Sequence, residues 1–218
     1  MLYIVSTPIG NLEDITLRAL RTLKEVDYIA CEDTRTTATL LNHYEIKKSL
    51  LSYHSYSGVA KLDKIIALLN EGKDIALVSD AGTPGISDPG YPLIQEALKN
   101  NIRIIPIPGV SAFLTALQAS GLPINHFLYF GFLPIKKGRQ TLFKKLQTIE
   151  ETVVFYESVH RIERTLRDLG EYLGEDRKIV IARELTKKFE EFNRVTIKDA
   201  IDIYCKKEKQ KGEFVIII

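Results

Sequence analysis

The chain has 218 residues, 45% apolar and 27% charged, and its 30 Lys and Arg against 28 Asp and Glu give a formal net charge of +2. That allows one large or two small globular domains with a sizeable core, and such balanced charge does not by itself demand a nucleic-acid partner. The two cysteines, Cys31 and Cys205, form no CxxC pair and have no Cys/His ligand spacing, so no metal site is expected and a reducing compartment suits the chain.

Leu2–Ser6 reads as a buried strand broken by Thr7-Pro8. A helix follows over Thr16–Val26, with Asp14 and Thr16 as N-terminal caps. Tyr28–Cys31 reads as a strand. A helix from about Ser57 to Glu71 has Leu62, Ile65, Ile66 and Leu69 at helical spacing. Ile75–Val78 (strand), Tyr91–Lys99 (helix) and Arg103–Ile107 (strand) complete the half. A short apolar helix then follows Pro108-Gly109. The pattern restarts with strands at Phe127–Phe132 and Thr152–Tyr156, a helical stripe through Ile162, Leu166, Leu169 and Leu173, and strands at Lys178–Ala182 and Phe214–Ile218. Glu191–Ile197 is a possible extra strand. Alternating strands and helices predict two α/β domains with mostly parallel sheets, 1–121 and 122–218, meeting near Gly121-Leu122-Pro123 around a ligand cleft. The opening MLYIVSTPIGN has no basic leader, and no apolar run nears the roughly 20 residues of a membrane helix, so neither a signal peptide nor a membrane is expected.

Four segments could carry chemistry. Ser6-Thr7-Pro8-Ile9-Gly10-Asn11 follows the first strand, and Gly10 leaves room for a ligand near the backbone, although taken alone the segment is better explained as a tight strand-to-helix turn. Ser79–Gly90 follows the strand Ile75–Val78 and holds three glycines, two prolines and two aspartates, too many for a plain connection. There Asp80 could accept from ribose hydroxyls or an amino group; the alternative role for Asp80 or Asp88 is helix capping. In Pro106–Ala112, Ser111 is not in a G-x-S-x-G elbow and is no hydrolase nucleophile. The last group is Phe155–Arg161 with Ala182–Lys187, in which charge begins abruptly after apolar strands. Glu157, Arg161, Arg183, Glu184 and Lys187 then stand near strand ends, either around a cleft or as an ion-pair network over the sheet. Neither G-x-G-x-x-G nor a phosphate-binding G-x-x-x-x-G-K-[ST] occurs.

Taken together, STPIGNLEDIT, CEDTR, SDAGTPGISDPGYPL, PGVSA, GFLP, FYESVHR and ARELTK resemble the tetrapyrrole-methylase-like (class III) methyltransferases. They are most similar to the group that methylates the ribose 2′-oxygen of a cytidine in small-subunit (16S) ribosomal RNA. The resemblance runs from Leu2 to Ile218. Corrin and siroheme enzymes have a shorter G-D-P loop where this chain has Gly82-Thr83-Pro84.

The resemblance implies a cytoplasmic homodimer that uses S-adenosylmethionine, needs no metal and acts on small ribosomal subunit RNA. It places Pro8, Ile9, Gly10, Asp80, Ala81, Gly82, Thr83, Ile86, Ser111, Ala112, Tyr156 and Ala182 around the cofactor. Glu157, His160 and Glu184 are then candidates to accept the ribose proton, with Arg161, Arg183 and Lys187 to hold phosphates or orient the acceptor. Lys136, Lys137, Arg139, Lys144 and Lys145 form the densest candidate phosphate-binding cluster, and Lys206, Lys207, Lys209 and Lys211 a second; ordinary solvated surface is the alternative for both. A tetrapyrrole methylase would instead show a deep apolar trough with no basic rim. A non-catalytic RNA-binding module would bind no cofactor.

Overall fold

The computed structural model describes residues 1–54, 58–206 and 211–218. Ser57, Lys207 and Lys209, named above, lie outside the described residues. The chain divides into two compact units, Met1–Ser111 and Ala112–Ile218, so the division falls before the expected Gly121-Leu122. The apolar helix after Pro108-Gly109 belongs with the second unit because it packs on that unit's strands.

The first unit has five strands: β1 (Leu2–Val5), β2 (Tyr28–Cys31), β3 (Ser49–Ser52), β4 (Ile75–Val78) and β5 (Ile104–Ile107). All pair in parallel, as the strand–helix alternation predicts, and their order is β3-β2-β4-β1-β5. Helix α1 (Leu17–Glu25) starts at Thr16, whose hydroxyl accepts from Ala19 N–H at 3.0 Å. Asp14 lies in a preceding 3₁₀ turn and caps nothing. Helix α2 (Thr34–His43) and strand β3 are absent from the expected elements: α2 is Thr-rich and β3 begins and ends on Ser, so both lack a clear apolar period.

Helix α3 (Val59–Asn70) and helix α4 (Tyr91–Lys99) complete the unit. Ala19, Leu23 and Leu41, from α1 and α2, pack on one side of the sheet against Val5, Ile29 and Val78. Ile65, Leu69, Leu93 and Ala97, from α3 and α4, pack on the other against Leu2, Ala30 and Leu77. The chain therefore leaves β1 toward one face and leaves β4, its neighbour, toward the opposite face. Adjacent strands whose exits diverge in this way form the switch point at which open α/β sheets bind ligands.

The second unit has β6 (Phe127–Phe132), β7 (Thr152–Glu157), β8 (Lys178–Arg183), β9 (Glu191–Thr196) and β10 (Phe214–Ile217), in the order β6-β7-β10-β8-β9. Here the expected parallel arrangement holds only for β6 with β7; β10 runs antiparallel to β7 and β8, and β9 antiparallel to β8. For β9 the reason is connection length. Only the residues from Glu184 to Glu190 join β8 to β9, too few for a parallel crossover, so the chain must turn back. Helices α6 (Arg139–Leu146), α7 (Ile162–Leu173) and α8 (Ile197–Tyr204) bury Phe143, Leu166 and Tyr204 on one face of this sheet with Phe155, Ile181 and Ile216. Helix α5 (Ala112–Gln118) lies against β7 and β10.

Candidate functional site

In the first unit the three Gly/Pro segments converge, because they leave the carboxyl ends of three neighbouring parallel strands, β4, β1 and β5. Thr7 and Gly82 form an isolated antiparallel bridge: Thr7 N–H donates to Gly82 O at 2.8 Å and Gly82 N–H to Thr7 O at 3.0 Å. This is a backbone clasp across the switch point. The Thr7 hydroxyl adds a bond to Ser79 O at 3.1 Å. Thr83 Oγ1 donates to Val110 O at 2.9 Å and lies 2.9 Å from Ser6 Oγ. A hydroxyl has one proton, so Ser6 is the donor in the second bond. Three side chains and one backbone bridge thus fix all three segments.

Two glycines make this geometry possible. Gly82 has φ +79°, a left-handed conformation that costs a side chain about 1–2 kcal/mol. At Gly109 an added Cβ would sit 2.7 Å from Ser6 Cβ, closer than atoms can pack, so the turn after β5 must lack a side chain to meet β1. Ser87, in the same long loop, adopts φ +63°, the kind of local strain that clusters at ligand-binding loops.

Above this clasp Gly10, Asp80 and Ala81 are exposed, Thr83 and Ile86 half-buried, and Pro8, Ile9, Gly82 and Ser111 buried. Asp80 does not cap helix α4, whose N-cap is Gly90. Asp80 Oδ1 instead accepts from Asp33 N–H at 3.0 Å, stitching the start of α2 to the long loop. Asp33 in turn grips the exposed Arg35 by two oxygens, at 3.0 and 2.6 Å, and that contact holds its carboxyl down at about 2. Glu32 is missing from the expected set. Burial first, then the charge of Asp80, pushes its carboxyl above the ordinary range; nearby His54 opposes this and Asp33 reinforces it. The signal was present in the acidic pair that ends β2 in Cys31-Glu32-Asp33.

In the second unit Tyr156 and Ala182 occupy one row of the sheet, each registered with Val215 between them. Tyr156 Oη accepts from Phe113 N–H at 3.3 Å, and its ring lies 5.6 Å from Tyr129 and 5.5 Å from Phe132. Ala112 is half-buried at the start of α5.

Five of the six charged candidates fall into two separate networks rather than one open site, and His160 stands outside both. Glu157 is buried. Its Oε1 accepts from Ser158 N–H at 2.7 Å and lies 2.8 Å from Arg161 Nε, and its Oε2 accepts from Thr165 at 2.5 Å. Arg161 also donates to Leu133 O at 3.0 Å. The network runs on to Arg139, which donates to Thr165 Oγ1, Asp168 Oδ2 and Pro134 O at 2.9, 2.7 and 3.0 Å. Arg139 is only 4% exposed, so it does not belong to the solvent-facing basic cluster expected above; Lys136, Lys137, Lys144 and Lys145 do face solvent. The helical spacing that begins α6 after Gly138 turns Arg139 inward against α7.

In the other network Arg183 donates to Lys211 O at 2.6 Å and pairs with Glu191 at 3.3 Å. Glu184 accepts from Lys187 Nζ and from Glu213 N–H, both at 3.0 Å. Burial opposes the charged form of Glu184, but Lys187, the Glu213 amide and Arg183 outweigh it and hold the carboxyl below its usual range. For Lys187, burial is outweighed by Glu213 and Glu184, and the ammonium is held above its usual value. Among the six, His160 alone is exposed. No group of three or more His, Cys, Asp or Glu among the described residues is arranged to hold a metal ion, and no helix there is long and apolar enough to cross a membrane.

Residues 1–201 match the family model of the tetrapyrrole (corrin/porphyrin) methylases. The full chain is 51% identical to a ribosomal RNA small subunit methyltransferase I of Halalkalibacterium halodurans, covering 75% of that protein. It is 48% identical to the protein of the same name from Thermotoga maritima, covering all of this chain and 97% of the relative. The chain belongs to the tetrapyrrole (corrin/porphyrin) methylase family and, within it, to the ribosomal RNA small subunit methyltransferase I group. It is a methyltransferase. The family fold is shared with much more distant proteins. A diphthine synthase structure aligns at TM-score 0.75 with 14% identity, covering 100% of this chain and 89% of that one. A uroporphyrin-III C-methyltransferase from Thermus thermophilus, complexed with S-adenosylhomocysteine, aligns at 0.67 with 18% identity, covering 99% and 96%.

Proposed function

We propose that this methyltransferase uses S-adenosylmethionine to methylate the ribose 2′-oxygen of a cytidine in small-subunit ribosomal RNA, acting in the cytoplasm as a homodimer. The observation that carries the reading is identity of about half over the whole chain to relatives named for small-subunit ribosomal RNA. The first unit fits the cofactor. Exposed Asp80, with Oδ1 already held by Asp33 N–H, has a second oxygen for ribose hydroxyls, and the clasped loops offer backbone groups at Gly10, Ala81 and Thr83. Buried Pro8, Ile9, Gly82 and Ser111, with half-buried Ile86, supply the less polar lining.

The cofactor supplies a methyl group already activated by its sulfonium. The protein's own residues therefore position the acceptor and exclude water, which can lower the barrier by roughly 7–11 kcal/mol. The ribose hydroxyl must lose a proton as the new bond forms. Glu157 is ill placed to take it, since both its oxygens are held. Glu184 is held in its charged, weakly basic form. His160, exposed at the start of α7, is the acceptor in this reading. Arg161 and Arg183, bound to backbone carbonyls, shape the surrounding segments, and Lys187 braces Glu184.

The test is transfer of labelled methyl from S-adenosylmethionine to small ribosomal subunits, to naked small-subunit RNA and to a precorrin in parallel. Label on RNA ribose is the expected result. Label on the precorrin alone, or no binding of the cofactor by folded protein, would overturn the reading.

A further inference from the structure

We propose that Phe132 is a stacking platform for an unpaired RNA base, with Lys136 and Lys137 contacting the flanking phosphates. The proposal rests on the reading that RNA is the methyl acceptor. Strand β6 is the edge of the second sheet. Its register against β7 runs Phe127↔Thr152, Leu128↔Val153, Tyr129↔Val154 and then Phe132↔Tyr156, so Phe130 and Gly131 together oppose Phe155 alone. This is a β-bulge, with Gly131 at φ +59°. Side chains alternate along a strand, so without the bulge Phe132 and Tyr129 would point to opposite faces. The extra residue brings both against Tyr156, at 5.5 and 5.6 Å. A bulge that re-aims one aromatic ring is a built feature.

The ring so aimed is left 52% exposed, as is Ile135 at 59%. The chain around it is fixed. Arg161 binds Leu133 O, buried Arg139 binds Pro134 O, and Leu133 itself is buried. The Arg161 guanidinium lies 5.8 Å from the ring centroid, and Lys136 and Lys137 stand exposed four and five residues on. An exposed aromatic among cations is how single-stranded nucleic acid is held, with the ring taking a base and the cations the backbone. An interface between copies of the chain would instead be depleted of lysine.

The experiment measures binding of a fluorescent single-stranded RNA of about ten nucleotides to the full chain and to Phe132→Ala, Phe132→Leu and Phe132→Trp. Calorimetry with S-adenosylmethionine, thermal melting and light scattering run on every variant. Loss of one base stack should weaken RNA binding roughly 10- to 100-fold in the Ala and Leu variants. Trp should restore it, and cofactor affinity should not change. Lys136→Ala with Lys137→Ala should make the salt dependence shallower by roughly 0.7 in logarithmic slope per lost contact. A Leu variant that binds RNA as well as the parent overturns stacking. So does an RNA loss seen only when copies of the chain dissociate, which would make Phe132 an interface residue. Methyl transfer to small subunits separates the two ideas: transfer that survives Phe132→Ala unchanged sinks the platform alone, and ring-dependent RNA binding without any transfer sinks the reaction alone.

Discussion

Around β1, β4 and β5 of the first unit, the strand ends present backbone: a Thr7–Gly82 clasp, a turn that admits no side chain at Gly109, and loop residues open to solvent at Gly10 and Ala81. Around β7 and β8 of the second unit, the strand ends present charged side chains, yet most of these are used up on one another. Glu157 and Arg139 are buried in a shared network, and Glu184, Lys187 and Glu213 form a brace. In sequence both kinds of segment are candidate sites, the Ser79–Gly90 loop the stronger of the two. They differ in what each residue type can do locally. Glycine and proline have narrow backbone uses, so a cluster of them reports geometry directly. A charged residue after an apolar strand can face a ligand or a neighbouring helix, and only the helix register decides.

The comparison breaks most easily at Arg139. Replacing it with Ala would take the buried cation from Asp168 and Thr165 while Glu157 keeps Arg161, and removing one partner from such a network costs up to about 3–5 kcal/mol. Denaturant unfolding should show that loss. A variant as stable as the parent would mean that Arg139 belongs to the solvated basic cluster after all.

This residue also marks where sequence legibility stops. Strands β2 and β4 and helix α4 were legible to the residue, because a short apolar run bounded by turn signals, or a proline at the helix start, allows little else. The parallel pairing of the first sheet followed from the alternation. The reversal in the second did not, because it depends on β10 inserting between β7 and β8, a pairing that no local pattern encodes. Likewise the loop of Ser79–Gly90 could be read as a site, whereas the Gly131 bulge could not: one glycine in a strand does not show which neighbour it re-aims. Asp80 bonding to Asp33 across the sheet is a contact between segments 47 residues apart, invisible to spacing.

A smaller effect on stability is expected at Gly82. An added side chain would find room, with Ile9 Cγ2 3.5 Å from the new Cβ, so the penalty comes from backbone conformation. Gly82→Val places a β-branched residue at φ +79°, at about 1–2 kcal/mol if the clasp holds. Cofactor affinity should fall far more than stability does, because relaxing the strain means opening the Thr7–Gly82 bridge. Calorimetry with S-adenosylmethionine beside thermal melting separates the two. Normal binding by a folded variant would remove Gly82 from the pocket.

The smallest effect belongs to the brace of the second unit. The carboxyl of Glu184 is held below its unfolded value, so its contribution to stability is complete above the usual carboxylate range and fades as pH falls through the folded value. Lys187 is held above its unfolded value, so its contribution is complete at neutral pH and fades only as pH rises through its own folded value. Stability from this pair is therefore flat through neutrality and declines at both extremes. Glu184→Gln removes the acid-side decline due to this group and leaves Lys187 paired with Glu213 at 2.9 Å. Lys187 keeps 30% of its side-chain surface exposed, so solvent screening limits the loss at neutral pH to about 0.5–1 kcal/mol. Unfolding measured from acid to neutral pH should show parent and variant converging as the medium becomes acidic. A constant gap down to strongly acidic pH would mean that the carboxylate is not what the brace uses. Methyl transfer should survive the substitution, since a braced carboxylate holds the loop rather than taking the ribose proton. Loss of transfer in a folded, cofactor-binding Glu184→Gln variant would move the proton acceptor from His160 to Glu184.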